Sequence, residues 1–115
     1  IARQPKGRAF AGLSAGGFLA FDVFERVGYL FGNIGIWSGG RRFDADYTKP
    51  YLKNVHVHIG AGEYDDAYRA FAQPLEKELI ENEIPYTMEI IPGAHQWSVW
   101  RKLLENFLVE WVGNK

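Results

Sequence analysis

Residues 12–16 read Gly-Leu-Ser-Ala-Gly, and what flanks them constrains the fold more than any other part of the chain. A short apolar run, residues 9–11, drives into the pentad, and an amphipathic segment leaves it directly. A strand that ends in G-x-S-x-G and turns at once into a helix sets its serine on a sharp bend. The bend lifts the hydroxyl clear of the backbone, and the small flanking residues let the two elements approach. Taken alone the pattern is weak, because glycine and serine are common in loops; the strand before it and the helix after it give it weight. Ser14 is therefore a candidate nucleophile, with a plain turn serine or an anion-binding helix start as the alternative.

The remaining pattern alternates strand and helix. Phe18, Phe21, Val23, Phe24 and Val27 recur at mostly helical spacing after Ala15, and Gly28 is a natural stop. Residues 31–38 read as a second strand, closed by Gly39 and Gly40. Residues 41–54 are charged, contain Pro50 and read as a connecting loop. A third strand is expected over 55–59, ended by Gly60-Ala61-Gly62. A helix over 67–84 follows, with a kink or a fresh start at Pro74, whose nitrogen cannot donate. Residues 86–91 form a fourth strand. The last helix, about 98–112, sets Trp100, Leu103, Leu104, Phe107, Leu108 and Trp111 on one face. The order predicts an α/β domain: a mostly parallel sheet of about four strands with helices on both faces, residues 1–115 forming one domain.

In such sheets functional groups gather at the carboxyl ends of the strands. Three chemically apt groups fall there: Ser14, the acidic cluster Glu63, Asp65 and Asp66, and His95. A serine hydroxyl needs a base as it attacks, histidine titrates in the right range to be one, and a carboxylate behind the histidine fixes its tautomer. Asp65 is the favoured acid because it leaves the strand by a short turn; Asp66 and Glu63 are its rivals, with helix capping as their alternative role. The N–H of Ala15, at the helix start, is a natural oxyanion donor. Trp97, two residues past His95, is a candidate for both core packing and substrate contact. Ser38, in W-S-G-G, reads as a turn residue.

His56 and His58 share one face of the third strand, but no third ligand is evident, so they read as half-buried strand histidines and no metal is expected. With no cysteine, thiolate chemistry and disulfides are excluded. A net charge of −1 gives no hint of nucleic-acid binding, and no apolar run approaches a membrane span. No cofactor, nucleic acid or membrane is expected.

The runs A-G-L-S-A-G-G at 11–17 and L-F-G-N-I-G-I-W-S-G-G at 30–40 resemble the esterase family of α/β-hydrolases. That group includes enterochelin esterases, feruloyl esterases, S-formylglutathione hydrolases and mycolyltransferases. G-E-Y-D at 62–65 and P-G-A-H-Q-W-S-V-W at 92–100 extend the likeness over essentially the whole chain. The resemblance implies Ser14 as nucleophile, Asp65 as acid and His95 as base of a serine esterase acting on a small-molecule ester, with acyl transfer open to the same residues. It also implies that the chain, which opens on Ile1, is the C-terminal half of such a fold, its N-terminal strands absent. The second oxyanion donor would then come from an earlier loop, and the first strand would present a bare edge. The expectation is a fragment that self-associates or pairs with a complementary N-terminal segment. A catalytically inactive folded half-domain or oligomerising module is the alternative.

Overall fold

The structure, a computed structural model, describes residues 4–40 and 45–114. Four strands, β1 (Ala9–Leu13), β2 (Asn33–Trp37), β3 (His56–Gly62) and β4 (Tyr86–Ile91), form one sheet in the order β1-β2-β3-β4. Every neighbouring pair is parallel. Helix α1 (Ala15–Val27) joins β1 to β2, α2 (Gln73–Glu81) precedes β4, and α3 (Trp97–Asn114) closes the chain. No helix among the described residues is long and apolar enough to cross a membrane.

Alternation along the strands sorts the core into two layers. Ile34, Ile36, Val57, Ile59 and Ala61 face α1 and α2, where Phe21, Phe24, Leu75 and Leu79 are buried against them. Each of those four side chains contributes on the order of 2–3 kcal/mol of burial. That outweighs the low helix propensity of the glycines that open α1. The opposite face carries Trp37, packed with Val99, Leu103 and Phe107 of α3. The Trp37 and Phe107 rings meet edge to face at 5.5 Å. Helices thus cover both faces, as expected.

Three boundaries differ from the sequence reading. β3 runs on through Gly60-Ala61-Gly62, which looked like a strand stop. A Cβ at Gly60 would meet the Leu103 methyls at 2.6 Å, and one at Gly62 would meet the Ala94 carbonyl oxygen at 2.4 Å. These glycines stay in the strand because α3 and the loop after β4 lie directly on it. The helix expected over 67–84 is a π-helical stretch, Tyr68–Ala72, followed by α2, which begins at the residue before Pro74. Pro74 therefore marks a fresh start, in the first turn, where its missing donor costs nothing. α2 ends at Glu81, capped by Asn82, with Glu83 in the left-handed region (φ +57°) and Ile84 N–H returning to Leu79 C=O.

The apolar face of α3 is also narrower than its pattern implied: Leu103 and Phe107 are buried, whereas Leu104 and Leu108 are about two-fifths exposed. Residues 41–44 of the expected loop lie outside the described residues; its end forms a 3₁₀ turn at Pro50–Asn54 that buries Leu52.

β1 stands at an edge of the sheet. Arg8 C=O accepts from Gly32 N–H, and Ser14 N–H donates to Trp37 C=O. The strict alternation of a parallel ladder therefore turns the backbone groups of Ala9, Ala11 and Leu13 to the open side. Every residue of β1 is partly exposed, while every residue of β2 is buried. No strand among the described residues pairs with that edge.

Candidate active site

Because the sheet is parallel and its strand order follows the chain, each strand delivers one polar residue to the same rim: Ser14 after β1, Ser38 after β2, Asp65 after β3 and His95 after β4. β1 and β4 are three strand spacings apart, roughly 14 Å, so His95 reaches Ser14 only because the loop after β4 folds back over the sheet. That loop is pinned across the end of β3 by Glu63 N–H to Ile91 C=O and Tyr64 N–H to Gly93 C=O, each 2.8 Å. The bare Gly62 beneath leaves room for its carbonyls.

Ser14 takes φ +53° and ψ −120°, a conformation that strains any residue with a side chain by about 1–3 kcal/mol. Two hydrogen bonds hold it there, Ser14 N–H to Trp37 C=O and Gly17 N–H to Ser14 C=O, both 2.9 Å. The turn is also sterically sealed. A Cβ at Gly12 would lie 1.9 Å from the Gly16 carbonyl oxygen, and one at Gly39 would lie 2.2 Å from the Ser14 carbonyl oxygen. Gly16 itself has open space where a Cβ would stand, so its contribution is the carbonyl packed against Gly12 rather than a missing side chain.

From this bend Ser14 Oγ lies 2.9 Å from His95 Nε2, and His95 Nδ1 lies 2.8 Å from Asp65 Oδ2. Asp65 is buried, while the His95 side chain is 45% exposed. The other carboxylate oxygen, Oδ1, accepts from Ala67 N–H at 2.9 Å. Burial pushes the Asp65 carboxyl up. Hydrogen bonds from Ala67 N–H, His95 and Ser38 outweigh it and hold the group below its ordinary value. An ionised Asp65 accepting from Nδ1–H leaves the Nε2 lone pair facing the Ser14 hydroxyl. A chain of this kind can take a proton from the serine and stabilise the imidazolium that results. Asp66 and Glu63 make no such contact among the hydrogen bonds described. Ala15 is the first residue of α1, where helical geometry leaves its N–H without an intrahelical acceptor.

Two residues join the site in ways their sequence setting did not announce. Ser38, read as a turn residue, takes a positive φ of 50° and bridges Asp65 to Trp100, whose Nε1–H donates to Ser38 Oγ at 2.9 Å. Trp100 also packs edge-on against the His95 ring, with centroids 4.9 Å apart. Trp97 is 66% exposed and is not among the residues that line the cleft at Ser14; the tryptophan that touches His95 is Trp100. A serine at a strand's carboxyl end beside that of Ser14 was the one available signal for Ser38. The cleft measures about 520 Å³, and Phe18 and Phe71, edge to face at 5.5 Å, give it an apolar wall.

No protein-family model and no curated protein sequence gives a significant match to the chain. Among solved structures it resembles an S-formylglutathione hydrolase from Staphylococcus aureus, with TM-score 0.79 and 18% identity over 97% of this chain and 53% of that one. A ferulic acid esterase gives TM-score 0.81 and 18% identity over 96% of this chain and 53% of that one. A fluorophosphonate-binding serine hydrolase of S. aureus gives 0.77 and 17%, over 97% and 56%. The chain therefore has the α/β fold of these esterase and hydrolase structures and spans about half their length.

Proposed function

We propose that the chain carries the catalytic residues of a serine carboxylic-ester hydrolase that works through an acyl-enzyme. The observation that supports this most is the unbroken hydrogen-bonded run from Ser14 Oγ through the His95 ring to the buried Asp65. In this reading Ser14 Oγ attacks the ester carbonyl while His95 Nε2 takes its proton. The tetrahedral oxyanion faces the N–H of Ala15. His95 then returns the proton to the departing alkoxide, leaving Ser14 acylated, and water repeats the sequence to release the acid. Asp65 holds the Nδ1–H tautomer throughout. The Phe18–Phe71 wall favours an apolar acyl or alcohol group beside Ser14. No step calls on a cofactor.

We further propose that the open edge of β1 is covered in the working protein, by a complementary N-terminal segment or by a second copy, and that a second oxyanion donor arrives with it. Losing one such donor costs about 10²–10³ in rate, so the 115 residues alone should turn over slowly. The reading is tested by mixing the chain with an activated aryl acetate and weighing it after a rapid acid quench. An acetyl adduct on Ser14, absent from Ser14→Ala, is the expected result; a folded chain that gains no acetyl group, or gains it elsewhere, would overturn it.

A further inference from the structure

At the opposite, amino-terminal end of the sheet a cavity of about 580 Å³ is lined by Lys6, Gly32, Asn33, Asn54, His56 and Glu110, together with Pro5. His56 and His58 alternate along β3 and so project from one face, their rings 4.5 Å apart. The His58 ring stands edge-on to Phe107 of α3 at 4.7 Å, and Glu110 lies one helical turn further on. Its carboxylate reaches over both rings: Oε1 is 3.3 Å from His56 Nε2, and Oε2 is 3.5 Å from His58 Nδ1. The third ligand that the sequence did not reveal is thus brought in by the packing of α3 on the sheet.

We propose that His56, His58 and Glu110 form a binding site for a first-row divalent metal ion of the zinc class, its remaining coordination position open to the cavity. The three ligand atoms lie within 4.8 Å of one another. Bonds of 2.0–2.2 Å in a tetrahedral site need ligand separations of roughly 3.3–3.6 Å; the contacts at 3.3 Å and 3.5 Å are of that size, though each uses a different oxygen of Glu110, one of which would serve as the ligand. Closing the remaining span asks for movement of the His56 and Glu110 side chains, both of which line the cavity.

The surrounding hydrogen bonds orient the donors. Asn33 Oδ1 lies 3.1 Å from His58 Nε2; an amide oxygen accepts, so the proton sits on Nε2 and the Nδ1 lone pair faces the Glu110 carboxylate. Two acceptors face each other there, which a cation between them would turn into attraction. Thr87 Oγ1 donates to Glu110 Oε1 at 2.8 Å and steadies that carboxylate, the kind of outer contact that metal sites use. Thr87 gives its proton to Glu110, so in the ion-free protein His56 Nε2–H is the donor in the 2.7 Å contact with Thr87; on binding, the metal takes that proton's place at Nε2 and the ring carries its proton on Nδ1. Two imidazoles and one carboxylate suit zinc, cobalt or nickel, whereas calcium and magnesium select all-oxygen shells. The site sits where β3 begins, away from Ser14 at the end of β1, so the metal's role is to clamp α3 to β2 and β3 rather than to act on the ester.

The test is calorimetric titration of Zn²⁺ into the full chain after chelator treatment, with Co²⁺ absorption as a second probe. One equivalent should bind and raise the melting temperature. His56→Ala and Glu110→Gln, chosen because the buried His58 is a folding risk, should each weaken binding at least tenfold while keeping native circular dichroism. His95→Ala, which removes the remaining histidine, should leave the stoichiometry at one. Absence of saturable binding, or undiminished affinity in both folded variants, would overturn the proposal.

Discussion

Asparagine at position 65 is the sharpest perturbation available, because it keeps the shape and inverts one contact. Asp65 serves two donors at once: Oδ1 accepts from Ala67 N–H and Oδ2 accepts from His95 Nδ1. An asparagine can satisfy the buried Ala67 N–H only by placing its carbonyl there, which turns its NH₂ group toward Nδ1. That donor forces the ring proton onto Nε2, so His95 donates to Ser14 Oγ instead of accepting from it, and the serine has no base. Loss of the correct tautomer in an arrangement of this kind costs about 10⁴-fold in rate, equivalent to about 5 kcal/mol of barrier. The assay is the second-order rate constant for labelling of Ser14 by a fluorophosphonate, which reports nucleophile activation without requiring turnover. Urea unfolding run alongside separates a rate effect from a folding effect. A well-folded Asp65→Asn that labels within about threefold of the parent, with Asp66→Asn or Glu63→Gln showing the large loss instead, would refute the reasoning.

Ser38→Ala removes the hydroxyl that joins Asp65 to Trp100; one hydrogen bond to a charged group is worth about 1.5–3 kcal/mol, and labelling should slow by about tenfold or more, with Asp65 titrating closer to its ordinary value. Gly12→Ala forces a Cβ to within 1.9 Å of backbone and should destabilise the fold by several kcal/mol in urea, whereas Gly16→Ala, with open space, should be neutral or stabilising by up to about 1 kcal/mol. Stability should also fall in mild acid. Burial first, then the neighbouring His56, lowers His58 to about 4, only partly opposed by Glu110. The folded state therefore prefers the neutral ring, and its contribution is complete above pH 6.5 and lost as pH drops toward 4. Asp65, lowered instead, contributes above its unfolded value of 3.8 and fails only below it. A urea midpoint measured with chelator present that stays flat from pH 7 to 4.5 would contradict the His58 assignment.

The parallel sheet was legible from the alternation of strand and helix along the chain, and the aliphatic residues at every second position of β2 and β3 pack against α1 and α2 as that order requires. The site was legible as an order of groups at strand ends, since a parallel sheet brings successive strand ends to one rim whatever lies between them. What stayed hidden were the contacts set by how elements lie on one another. Gly60 and Gly62 looked like a strand stop because nothing local says that Leu103 and the loop of Gly93 and Ala94 press on them. Trp97 looked closer to His95 than Trp100 did, yet the first turn of α3 points Trp97 outward and Trp100 back to Ser38. Glu110 lacked any local tie to His56 and His58, and only the path of α3 across the sheet unites them.

The most direct test of the central claim is to react the folded chain with a fluorophosphonate and map the adduct by peptide mass spectrometry. A single adduct on Ser14, abolished in Ser14→Ala and strongly suppressed in His95→Ala, is the outcome the account predicts. A folded chain that takes up no label, or takes it up equally well without His95, would contradict it.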